Sequence, residues 1–139
     1  MRKFEFRLEK VLDYRRLLED QAKNLYLEAK INRLEAERVF DQIDQKRASM
    51  MAGNLSTVEA RIALEHMHAR LDDEVLQQRT IVDLLQQEEE AKRIDWVEKQ
   101  RELKALENLR EDALTDWKYE LEKHEQAELD EWASQRRAI

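Results

Sequence analysis

The chain has 139 residues, 41% of them charged and 6% aromatic, with a formal net charge of −7 and a mean hydropathy of −0.88. So polar a composition excludes a compact globule built around one large core, and the negative balance disfavours nucleic acid, whose phosphates call for clustered Lys and Arg. Cysteine is absent, which excludes disulfides, thiolate catalysis and cysteine-based zinc sites.

The opening residues, Met1-Arg2-Lys3-Phe4-Glu5-Phe6-Arg7, carry charge where a signal peptide requires an apolar stretch. No apolar run approaches the roughly 18 residues of a membrane span. Both features predict a cytoplasmic chain without direct membrane insertion. Disorder competes for a sequence of this polarity, but the chain has no proline, a single glycine, and apolar residues that recur at helical spacing.

A first helix is predicted over about residues 4–52. Its core positions of one kind are Leu8, Arg15, Ala22, Ala29, Ala36, Ile43 and Met50. The other kind are Phe4, Val11, Leu18, Leu25, Asn32, Val39 and Lys46. A 3.5-residue repeat held over six heptads means left-handed supercoiling against a partner helix. The three alanines call for close approach of that partner. Asn32 either sets the register or is a partly solvated imperfection.

Gly53-Asn54 then interrupts the chain, followed at once by Ser56-Thr57-Val58-Glu59. Glycine just past a helix end relieves the strain of a C-cap, and Ser-x-x-Glu is the capping box of a new helix. The turn is predicted at about 53–55 and the second helix at about 56–136. Its seam carries Leu64, Leu71, Gln78, Leu85 and Leu106, alternating with Val75, Val82, Trp96 and Leu103. Glu89, Lys92 and Lys99 fall on the same seam, where packing is expected to loosen. Pairs at i,i+4 (Glu88 with Lys92, Glu89 with Arg93, Asp95 with Lys99) support helix there.

Folding at Gly53-Asn54 places Leu25 near Leu85, and Phe4 near Leu103 or Leu106. Residues 107–139 then extend beyond the N-terminus by about 45 Å, and the second helix spans roughly 120 Å. The expected architecture is all-α: residues 1–139 as one antiparallel two-helix coiled-coil hairpin, its long C-terminal helix overhanging the N-terminus. The charge supports pairing of unlike arms. Residues 1–52 hold 12 Lys/Arg and 10 Asp/Glu, whereas residues 53–139 hold 13 and 22. Further apolar residues recur off the seam, among them Leu17, Leu27, Ile31 and Leu34 on the first helix and Leu76, Ile81 and Leu84 on the second.

A two-helix hairpin offers no desolvated cleft in which a carboxylate could be tuned for acid–base work. His66 and His68 lie two residues apart, and only His68 with Asp72 has a spacing that converges on one helical face, too few ligands for a metal. There is no Gly-rich phosphate loop and no nucleophile elbow. No catalytic, metal or cofactor site is expected, and function is expected on surfaces and ends.

The two ends are more specific. Phe4-Glu5-Phe6-Arg7-Leu8-Glu9-Lys10-Val11-Leu12-Asp13-Tyr14-Arg15, with Glu19 and Ala22, resembles the start of the FliJ family of flagellar export proteins. Lys104-Ala105-Leu106-Glu107-Asn108-Leu109-Arg110 is similar to its Lys-x-Leu-Glu-x-Leu-basic stretch. Glu125-Gln126-Ala127-Glu128-Leu129-Asp130-Glu131-Trp132-Ala133 is similar to its closing Glu-Gln-x-x-Leu-Asp-Glu-x-Ala.

The resemblance implies a non-enzymatic, stalk-like coiled coil of the flagellar type III export apparatus. Such a stalk is held in the ring of the export ATPase, FliI, promotes its assembly and activity, contacts the export gate protein FlhA, and handles empty export chaperones. It implies a cytoplasmic protein peripherally associated with the flagellar basal body, monomeric on its own. The ring-facing end is assigned to Phe4, Phe6, Leu8, Trp117 and Leu121. The family's gate pattern, apolar-x3-Leu-x2-Ala-x3-His, falls without gaps on Met67, Leu71, Glu74 and Gln78, of which only Leu71 matches outright. The alternatives are the equivalent stalk of a virulence-type secretion system and a generic coiled-coil oligomeriser or scaffold.

Overall fold

The structure, a computed structural model, describes residues 2–51 and 57–137. Two helices account for nearly all of them, α1 over Glu9–Met51 and α2 over Val58–Arg137, and no strand occurs among the described residues. The fold is an all-α hairpin in which the helices pack antiparallel. Tyr26 meets Trp96 and Arg33 meets Glu89, so seven residues forward on α1 match seven residues back on α2.

The helix starts differ from the periodicity. α1 begins at Glu9, five residues later than its heptads suggest, and residues 2–6 have no regular structure. Their burial alternates: Phe4, Phe6 and Leu8 are half-buried while Glu5 and Arg7 are exposed. Residues 2–6 are irregular, and a turn closed by the Glu9 N–H on the Phe6 carbonyl at 3.1 Å leads into α1; Phe4 and Leu8 also satisfy an i,i+4 reading. α2 opens on Thr57, whose Oγ1 accepts a hydrogen bond from the Ala60 backbone N–H at 3.1 Å. Thr57 thus satisfies one orphan donor of the first turn. Gly53, Asn54 and Ser56, the expected C-cap, turn and capping box, lie outside the described residues.

Contacts divide the chain into two units, Met1–Asp20 with Glu98–Ile139, and Gln21–Val97. In the second unit the expected alanine column holds: Ala22, Ala29 and Ala36 are buried, as are Leu71 and Val75 on α2. The companion column holds only in part, Val39 being half-buried. It is Tyr26, Arg33, Phe40 and Arg47 that turn inward, whereas Leu25 is 46% exposed and Asn32 is exposed. Asn32 therefore sets no register. The reason lies on α2. Trp96 stacks on Tyr26, with ring centroids 5.3 Å apart, and Glu89 receives Arg33.

The same substitution of columns holds in the first unit, where Leu12 is fully buried and Val11 is 42% exposed. The pairing register is also shifted. Phe4 meets Trp117, not Leu103 or Leu106. Arg15 Nη1 donates to Glu102 at 2.6 Å and Arg110 Nε to Glu9 at 2.9 Å. In the second unit Arg47 Nη1 donates to Asp72 at 3.2 Å. That contact places the end of α1 beside Asp72; nearer the start of α2, Val58, Ile62 and Met67 are exposed while Ala60, Leu64 and His68 are half-buried. Because of this shift the unpaired part of α2 in the first unit is shorter than residues 107–139, and every residue from 122 to 137 is exposed.

Candidate functional site: the aromatic end of the first unit

Phe4 is the pivot of this end. Its ring lies 6.0 Å from that of Trp117 at an interplanar angle of 59°, a tilted aromatic pair. On another side the Arg110 guanidinium sits 5.4 Å from the Phe4 centroid, within cation–π range. Arg110 is fixed by its bond to Glu9, the first residue of α1. The irregular segment 2–6 is thus tied to α2 by one aromatic and one cationic contact, and the adjacent start of α1 by an ion pair.

Two shallow, open grooves flank the segment. One is lined by Phe4, Phe6, Glu9, Lys10 and Arg110 among others, and the second by Arg2, Trp117, Glu120, Leu121 and His124. The structure therefore brings Phe4, Phe6, Trp117 and Leu121 to one end of one unit, all half-buried, with Leu8 half-buried at the turn where α1 begins. The chemistry offered is apolar contact rimmed by Arg2, Arg7, Lys10 and Arg110. Arg110 was legible only as the basic residue closing the Lys104–Arg110 stretch; its role over Phe4 needs the tertiary pairing. Further along α2, Tyr119, Leu129 and Trp132 are exposed, and Arg136 lies 5.0 Å over the Trp132 ring.

The second set of candidates is distributed differently. Met67 and Glu74 are exposed, but Leu71 is buried in the seam of the second unit. Gln78 is half-buried, and its Nε2 donates to the Ala36 carbonyl at 2.9 Å. These four residues do not form one open face. Among the described residues no three His, Asp or Glu side chains converge as a metal site, and no helix is long and apolar enough to cross a membrane.

With the geometry in place, comparison with known proteins gives one result. The family model described as Flagellar FliJ protein matches residues 4–138, nearly the whole chain. No curated protein and no solved structure matches.

Proposed function

Because the chain belongs to the FliJ family and is a component of flagellar protein export, we propose that it acts as the stalk that binds and activates the export ATPase, FliI. In this reading the aromatic end of the first unit is the ring-facing end. Phe4, Phe6, Leu8, Trp117 and Leu121 supply its apolar contacts, and the unpaired part of α2 beyond Leu121 enters the ring. The observation that carries the reading is the cluster of Phe4, Trp117 and Arg110 beside sixteen consecutive exposed residues, 122–137. A helix with Tyr119, Leu129 and Trp132 bare to solvent is marginal without a partner.

The same proposal gives the chain a second contact, with the export gate protein FlhA, through α2 in the second unit. Met67 and Glu74 are the accessible members of that surface, while Leu71 and Gln78 act indirectly by holding α2 in the seam. Handling of empty export chaperones belongs to the same working position, on the cytoplasmic side of the flagellar basal body.

The test is hydrolysis by the matched ATPase. Adding the protein raises ATP turnover and ring formation. Trp117→Ala or Leu121→Ala reduces that stimulation several-fold with helicity by circular dichroism unchanged. An unaltered hydrolysis rate with the matched ATPase overturns the proposal, and a loss of helicity in these variants reassigns Trp117 and Leu121 to the internal seam.

A further inference from the structure

A polar cluster lies in the seam of the second unit, between the positions filled by Tyr26 and Phe40. Arg33 Nε donates to Glu89 Oε2 and Arg33 Nη2 donates to Glu89 Oε1 at 3.4 Å. Its Nη1 donates to both Glu37 oxygens at 3.0 Å, and Gln86 Nε2 donates to Glu37 Oε1 at 3.3 Å. The Arg33 and Glu89 side chains keep 19% and 16% of their exposure, making theirs the least exposed ion pair among the described residues. No buried side-chain nitrogen or oxygen among those residues is left without a partner.

The neighbouring column explains why such a cluster matters. Ala22, Ala29 and Ala36 repeat at intervals of one heptad and are all buried. If α2 slid by seven residues, each alanine would meet the position now facing the next one, and the seam would remain closed. Alanine therefore does not distinguish one register from the next. The second column does. After a slip in one direction Arg33 faces Trp96 and Glu89 faces Phe40; in the other, Arg33 faces Val82 and Glu89 faces Tyr26. Either way the part-buried Arg33 and Glu89 lose each other to apolar neighbours, Arg33 keeping only Glu37 on its own helix, which is unfavourable.

We propose that Arg33, Glu37, Gln86 and Glu89 form a register lock, which selects one pairing of the Gln21–Val97 unit from the heptad-shifted pairings its alanine column permits. The lock resembles the use of a single polar residue at a coiled-coil core position to fix alignment, here made of a charge pair contributed by both helices. It selects the alignment more than it adds stability, because an apolar pair of similar volume fills the same space without desolvating charge.

The chain has no cysteine, so two introduced thiols report unambiguously. Gln45→Cys and Gln77→Cys lie on exposed positions of α1 and α2 in this unit, and spin labels there give the helix–helix distance by double electron–electron resonance. The parent shows one distance. R33L/E89L keeps its helicity and thermal midpoint but acquires a second population, displaced along the helix by about 10 Å, seven residues at ~1.5 Å each. R33L alone lowers the midpoint, because Glu89 is left unpaired. A single parental distance in R33L/E89L overturns the lock. Should R33L/E89L lose its helicity, R33E/E37R/E89R carries the decision. It restores the single parental distance if the lock holds, and failure to restore it overturns the inference equally.

Discussion

Thr57 and Leu12 show what one side chain contributes at the two ends of the burial scale. Thr57 is exposed, yet its hydroxyl accepts the Ala60 N–H in the first turn of α2. Thr57→Ala leaves that donor to water and lowers stability by about 1 kcal/mol in urea unfolding, the usual cost of a lost cap. Leu12 is the one large side chain fully buried among the described residues. Leu12→Ala opens a void that two helices close only in part, and the expected loss is about 2–3 kcal/mol by the same measurement. Val11→Ala, one residue earlier on a side chain 42% exposed, costs well under half as much. That contrast separates the two inward columns of α1 experimentally, since the column drawn from periodicity alone reverses the order of Val11 and Leu12.

Among the elements, α2 was the more legible. Its seam residues Leu64, Leu71, Gln78, Leu85, Val75, Val82, Trp96 and Leu103 are all buried or half-buried, because large apolar residues at a 3.5-residue repeat leave little choice of face. On α1 the small alanines fixed one column and left the second to the partner helix. A guanidinium or a tyrosine ring turns inward only when a carboxylate or an indole stands opposite, and single-helix periodicity carries no record of the opposite helix. The Phe4–Leu8 stretch fits a helix by its four-residue spacing, but the chain is irregular up to a Phe6–Glu9 turn before α1 begins. Local ion pairs hold the exposed faces. A hydrogen bond from Arg38 holds the Glu35 carboxyl below the ordinary 4.5, and Arg93 does the same for Glu90. A depressed carboxyl pKa contributes stability at pH above 4.5 that is lost as pH falls through the lowered value. Both pairs are solvent-exposed and individually weak. The expected outcome is a small loss of helicity on acidification below pH 4.5, followed by circular dichroism and reduced in E35Q/E90Q. A larger test concerns the end of α2. Because residues 122–137 are all exposed, a chain ending at Leu121 keeps its thermal midpoint within about 2 °C of the parent. The same chain loses stimulation of the ATPase if the ring contact is as proposed, so folding and partner binding separate in one variant.

For the whole molecule the question is what satisfies surfaces the hairpin leaves bare. A coiled coil that serves as a generic oligomeriser covers its outer apolar residues with copies of itself, whereas a stalk keeps them for unlike partners. Leu17, Ile31 and Leu34 on α1, and Leu76, Leu84, Leu129 and Trp132 on α2, are all exposed. With Leu27 and Ile81 they recur at three- and four-residue spacing on each helix, a surface that either a second copy or an unlike partner could cover. The net charge of −7 adds mutual repulsion between copies. The expected outcome is a single species of 16.8 kDa in light scattering, unchanged on tenfold dilution. Raising salt from 50 to 500 mM shortens the Debye length several-fold, so it removes the charge barrier while leaving apolar surfaces as they are. Persistence of the monomer at high salt means that the surfaces themselves do not match one another, which is the property a stalk requires. A dimer that forms only at high salt identifies charge as the sole barrier, and a dimer at both concentrations favours the scaffold reading over the stalk.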